Sequence, residues 1–178
     1  MMRIDRQKVL LAVTLILLIF TTPCYCGDDE FSRRSLKGLR ELMVMVEKLQ
    51  SDLAGLGMTR NQIEDDVKSK LSSAGIKIIP TLQQLAKTPG SPILYVNVNS
   101  YHRPEIGVVA FSVNVELKQD VSLKRSQNID VDATTWSVVF TGLTGDKRVG
   151  AIRDYVKTLV DIFLRAHSLV NLKQGENR

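Results

Sequence analysis

From Gly107 to Leu123 apolar and polar residues take turns. Val109, Phe111, Val113, Val115 and Leu117, then Val121 and Leu123, share one parity, while Ala110, Ser112, Asn114, Glu116 and Lys118 fill the other. Side chains alternate across a strand, so this pattern needs a sheet with one face on a core and the other in water, the habit of antiparallel sheets. No other stretch narrows the choice of fold as much. Extended, the run would reach about 55 Å, well past an ordinary strand. It therefore predicts a bend or bulge near Gln119-Asp120, or a ribbon that outruns its sheet. Upstream, Leu94, Val96 and Val98 alternate with Tyr95, Asn97, Asn99 and Tyr101, and His102 to Gly107 reads as the connecting turn. Downstream, Arg125 to Asn128 reads as a turn, and Trp136, Val138 and Phe140 supply a further strand to the same core.

Two helices accompany these strands. Thr59-Arg60-Asn61-Gln62 is a capping box, in which hydroxyl and amide each cover an N–H that a helix start leaves unpaired. Ile63, Val67 and Leu71 follow at one-turn spacing, with Glu64–Lys68 and Asp66–Lys70 as i, i+4 ion pairs. Gly75 ends the helix, and Ile76 to Ile79 is a short strand stopped by Pro80. The second helix is predicted over 147–170, capped by Asp146 or Thr144. Ile152, Tyr155, Val156, Leu159, Phe163, Ala166 and Val170 form its apolar stripe, with Arg153, Lys157, Asp161 and Arg165 in water. Residues 36–50 fit two patterns. Leu36, Leu39, Met43 and Val46 have helical spacing, whereas Leu42, Val44 and Val46 alternate as in a strand.

The start of the chain reads as an address. Arg3, Arg6 and Lys8 precede the uncharged run Val9 to Phe20, which Thr21-Thr22-Pro23 breaks. Basic start, short apolar run and small-residue exit describe a secretory signal peptide, too short to span a bilayer. Cleavage after Cys26 places Cys24 and Cys26 at the −3 and −1 positions; cleavage after Cys24 is the alternative. Neither cysteine sits in a lipobox, which argues against lipid anchoring. The chain has 2 cysteines in all, so the exported form would carry no disulfide, thiol nucleophile or thiolate ligand. Removing the leader lowers the formal charge of +5 to a mild excess, which speaks against a nucleic-acid binder. The organisation expected is a signal peptide at 1–26, a flexible lead-in at 27–35, a single domain at 36–172 and a polar tail at 173–178.

The element order β-α-β-β-β-β-α implies an α+β fold: a mostly antiparallel sheet of about five strands with two helices packed on one face. Gly57-Met58-Thr59 opening a helix, Val67 and Leu71 within it, Ala74-Gly75-Ile76 closing it, then Leu94-Tyr95-Val96-Asn97-Val98 and Thr135-Trp136, resemble the pattern of a family of exported bacterial proteins of unknown function. The resemblance spans residues 36–170 and favours a strand at 40–48. The element order is also similar to small envelope modules such as the N-terminal domain of the translocation protein TolB and related outer-membrane assembly proteins. What this implies is a periplasmic or secreted protein that binds another envelope protein rather than catalysing. The missing lipobox departs from the many lipid-anchored relatives of that architecture.

Catalytic material is thin, and neither a cofactor nor a metal ligand set is expected. Of the 2 histidines, His102 lies in a turn and His167 near a helix end, where its cation would favour the dipole. Glu64-Asp65-Asp66 reads as a solvated first helical turn. Met43 and Met45 could ligate copper through their thioethers but more simply fill gaps on the second face of a buried strand. The candidate binding surface is the open sheet face: Tyr95, Asn97, Asn99, Tyr101, Asn114 and Glu116, joined by Ser112, Thr135, Ser137 and Thr141. Tyrosines among asparagines combine flat apolar area with adaptable hydrogen bonds. A ribbon tip with Lys118, Lys124 and Arg125 would permit peripheral membrane contact, or simply guard an edge. Two alternatives stand beside an envelope binding or assembly module: a carrier of a small apolar or lipid-like ligand between sheet and helices, and a hydrolase with a carboxylate pair that the sequence does not reveal.

Overall fold

The computed structural model describes residues 27–171, without the side chains of Gln127 and Asn128. The expected leader, its cleavage after Cys26 and the tail at 173–178 lie outside the described residues. Five strands form one sheet: β1 Glu41–Val46, β2 Lys77–Ile78, β3 Ile93–Arg103, β4 Val108–Leu123 and β5 Ser126–Gly145. Five helices accompany them: α1 Glu30–Arg33, α2 Ser51–Gly55, α3 Arg60–Ser73, α4 Leu82–Leu85 and α5 Ala151–Asn171. The fold is α+β, as expected.

The strands lie in the order β2-β1-β3-β4-β5. β1 runs parallel to both of its neighbours, and β3, β4 and β5 form an antiparallel meander. The sheet is therefore mixed: mostly antiparallel along its paired length, as expected, with β1 the parallel element. The reason lies in the connections. α3 crosses the sheet between β1 and β2, and the segment with α4 crosses between β2 and β3; a strand that returns after a crossover runs parallel.

The alternating residues pack as their parity demands. Leu42, Val44 and Val46, then Leu94, Val96 and Val98, then Val109 through Leu117, then Trp136 and Val138 turn to one face and are buried. Ile63, Val67 and Leu71 of α3 cover that face together with Ile152, Val156, Leu159, Phe163 and Ala166 of α5. Each such side chain contributes about 1.5–3 kcal/mol when fully withdrawn from water. On the opposite face only the β1–β2 corner is covered, where Met43, Ile79 and Leu85 make a small second cluster beneath α4. Two helices on one face thus holds for α3 and α5, with α4 a single turn on the other side.

Both ends of α3 follow from its sequence. The Thr59 hydroxyl accepts from Gln62 N–H, and the Gln62 side chain accepts from Thr59 N–H at 2.9 Å. At the far end Gly75 sits at φ +82°, and Ile76 N–H reaches back to the Leu71 carbonyl at 3.0 Å. α5 starts at Ala151, four residues later than the predicted 147. Asp146–Arg148 forms a separate 3-10 turn, which Asp146 and Thr144 serve instead of capping the helix: the Asp146 carboxylate accepts from Lys147 N–H and the Thr144 hydroxyl donates to the Arg148 carbonyl. The anticipated Asp66–Lys70 pair is replaced by contacts between helices. Arg153 donates twice to Asp66 at 2.8 and 2.9 Å, and Lys70 meets Asp161 at 2.5 Å.

Two further expectations change. One register shift falls between Leu117 and Lys118, with Thr135 as the extra residue, just before the predicted bend, and a second falls between Ser122 and Leu123 beside the ribbon's turn. Beyond it the β4–β5 ribbon outruns β3 and turns at Lys124-Arg125, ahead of the expected Arg125–Asn128. Where a loose lead-in was expected at 27–35, the chain is tied down. Asp28 accepts from the Trp136 indole at 3.0 Å and from Arg33 at 2.7 Å, and Asp29 caps α1.

Candidate functional site

The sheet face turned away from α3 and α5 is uncovered over β3, β4 and β5. Period-2 geometry and the observed register fix what it displays. One row across the strands is Tyr95, Glu116 and Ser137; the next is Asn97, Asn114 and Val139; then Asn99, Ser112 and Thr141; then Tyr101, Ala110 and Leu143. All six proposed residues, Tyr95, Asn97, Asn99, Tyr101, Asn114 and Glu116, are brought onto this surface. Thr135 is not. As the bulge residue it turns to the helical side, donating to the Leu117 carbonyl and accepting from Gln119. Thr134 takes its place and donates to Glu116 at 3.0 Å.

The side chains form a connected strip. Glu47, just past the end of β1, accepts from the Tyr95 hydroxyl at 2.5 Å and from the Asn97 amide. Asn99 donates to Asn97, and on β4 Asn114 donates to Glu116. Lys118 lies 4.5 Å above the Tyr95 ring and 4.0 Å from Glu116, and its charge also favours the Glu47 anion. Lys118 thus belongs to the body of the sheet and not to the ribbon tip. Hydrogen bonds from Tyr95 and Asn97 hold the Glu47 carboxyl below its ordinary pKa, against a small opposing effect of burial. The same bond, with burial and the Glu47 charge behind it, pushes the Tyr95 phenol up. Tyr95 accordingly donates and Glu47 accepts as the anion. Reading the sequence missed Glu47. It follows Val46 at the end of β1 with the parity of Met45, and that parity was the signal that could have found it.

The strip changes character toward the β3–β4 turn. In the last row Tyr101 is 64% exposed and Leu143 72%, so that row is apolar while the Tyr95 row is charged; Val139, 38% exposed, lies between them in the Asn97 row.

The other candidates resolve into structural roles. Met43 is buried beneath α4, and Met45 lies beside Tyr95 in the register. The His167 imidazole donates from Nε2 to the Leu39 carbonyl at 2.7 Å; a carbonyl can only accept, which fixes the proton on that nitrogen. His102 sits 3.9 Å from Asp146. Glu64 pairs with Arg60 and Lys68. Among the described residues, no group of three or more His, Cys, Asp or Glu could hold a metal ion. The carrier alternative needs an apolar chamber between sheet and helices. Among the described residues, two grooves of about 460 and 470 Å³ lie at the end of the sheet where β1 begins, with Lys37, Arg40, Glu41, Lys77 and Lys87 in their walls. No helix among the described residues is long and apolar enough to cross a membrane. No protein-family model matches this chain, and no curated protein matches it.

Proposed function

We propose that the protein is an exported cell-envelope module without enzymatic activity, periplasmic or secreted, that binds or assembles with another envelope protein through its open sheet face. The observation that carries this reading is the pre-formed strip of Glu47, Tyr95, Asn97, Asn99, Asn114 and Glu116, set on rigid strands and continuing into exposed Tyr101, Val139 and Leu143. Side chains already held in one geometry lose little freedom when a partner arrives, which favours affinity. The apolar end offers the aromatic and aliphatic anchors that dominate interface energetics, and the charged end offers register. Export rests on the leader-like segment before Gly27 and on the resemblance to exported bacterial proteins.

The test is a double substitution, Tyr95→Ala with Asn97→Ala, in the full chain expressed in its own cell. These side chains are solvent-facing, so the fold should survive, as circular dichroism would show. Crosslinking followed by affinity capture should recover a specific envelope protein with the wild type and lose it at least tenfold with the variant. Equal recovery from both would remove this face from the reading.

A further inference from the structure

The two edges of the sheet are treated differently. β2 is two residues long and contains Lys77, the usual ways to discourage edge pairing. β5, the opposite edge, is 20 residues long. From Thr134 to Gly145 it carries no charge and no proline.

Hydrogen-bond direction shows which of its residues point outward. The Val96 carbonyl accepts from Glu47 N–H, so the even residues of β3 face β1 and the odd ones face β4. Carried through the register, Val115, Val113, Phe111 and Val109 bond to Val138, Phe140, Gly142 and Thr144. That leaves Ser137, Val139, Thr141 and Leu143 with N–H and C=O directed away from the sheet. Ser137 is already covered. Its carbonyl oxygen is so close to Gly27, whose φ is +113°, that a Cβ there would stand 2.5 Å away. Among the described residues the open window is therefore Val139, Thr141 and Leu143, closed on one side by Gly27 and on the other by the end of β5.

This window is symmetric about Thr141. We propose that β5 pairs antiparallel with β5 of a second copy on a two-fold axis through Thr141, joining two sheets into one. Thr141 then faces itself, Val139 faces Leu143 of the other copy, and each pair exchanges both of its main-chain N–H···O bonds. No other antiparallel register uses all three open residues of both chains. The side chains agree with it: Val139 and Leu143, which are exposed in the single chain, cover each other, and the Thr–Thr pair is a favourable cross-strand match. On the helical face the half-buried Phe140, stacked on Tyr155 at 4.2 Å, comes opposite Gly142, which brings no side chain of its own to the seam because the Phe140 and Phe111 rings of its own chain fill the place a Cβ would take. The axis stands perpendicular to the sheet, so both open faces lie on the same side of the dimer. The inference does not rest on what those faces bind, but it takes Val139 and Leu143 into the seam and leaves Tyr101 as the exposed anchor of each open face.

The protein expressed from its full sequence, in the N-terminal form the cell yields, should sediment as a dimer at micromolar concentration. Thr141→Pro removes only an outward N–H, a position where edge strands accept proline. It should give a monomer with unchanged circular dichroism, as should Leu143→Lys, which guards the edge by charge. Thr141→Cys should form an intermolecular disulfide under mild oxidation, because paired Cα atoms at such a site are about 5.5 Å apart. Val139→Cys should link no more than the unsubstituted chain. A wild-type monomer, a dimer that persists in both edge variants, or equal crosslinking from positions 139 and 141 would each overturn the proposal.

Discussion

Trp136 is the chain's one tryptophan, and it reports on a small number of bonds. Its indole N–H donates to Asp28, and its ring meets Phe163 edge-on at 5.3 Å. Burial pushes the Asp28 carboxyl up, but Arg33 and Trp136 outweigh it, and the acid lies below its ordinary pKa. Such a group adds stability above the carboxylate range of unfolded chains, about pH 4, and loses it as pH falls through the lower folded value. Tryptophan emission should therefore change on acidification before global unfolding, and Asp28→Asn should abolish that early step. An unchanged acid transition in the variant would show that the bond carries no such weight. Replacing Trp136 with Ala should cost about 3–5 kcal/mol in urea unfolding. The sequence marked Trp136 as an anchor because it shares the parity of Val138. Nothing local could mark Asp28 as its partner, because only the fold brings these two residues together.

At the scale of elements, the strands and helices that announced themselves were those with an unbroken period. The β4 alternation, the α3 cap and the Gly75 stop were legible because each depends on neighbours within one or two turns. The cap should be worth about 1 kcal/mol, which Thr59→Ala in a thermal melt would measure. What local periodicity could not give was pairing across elements. Asp66 and Lys70 are suitably spaced on one helix, yet the planar guanidinium of Arg153 offers Asp66 two parallel bonds that lysine cannot. That bond from Arg153, opposed by modest burial, holds Asp66 below its usual value. The pair is only partly exposed, so Asp66→Asn should destabilise by about 1 kcal/mol at neutral pH. The loss should vanish below the Asp66 folded pKa, where wild type is neutral as well. The bulge at Thr135 escaped in the same way. One inserted residue turns every later side chain over, and the open-face prediction lost Thr135 and gained Thr134 for that reason.

For the molecule as a whole, the layer architecture was readable, but the direction of β1 was not. Alternation tells which face a strand buries and says nothing of whether its neighbours run with it or against it. The six residues of the open face were likewise found by parity alone. Glu47 was left out although it lies inside the strand expected at 40–48, because Met43 and Met45 made its face read as buried. Hydrogen exchange should separate these layers. Amides of β1, β3 and the body of β4 should be the slowest, and those of the ribbon beyond Asp120 among the fastest, since α3 and α5 do not extend over it. Uniform protection along β4 would contradict this.

The central place of β1 has one more consequence. Both strands that flank it lie later in the chain, at Lys77–Ile78 and from Ile93 onward. A polypeptide made from its amino end therefore presents Leu42 to Val46 to water before either neighbour has been synthesised. For that interval the stretch is a sticky, unaccompanied ribbon of aliphatic and thioether side chains, the kind of segment on which nascent chains aggregate. It is where a holding chaperone has most to grip.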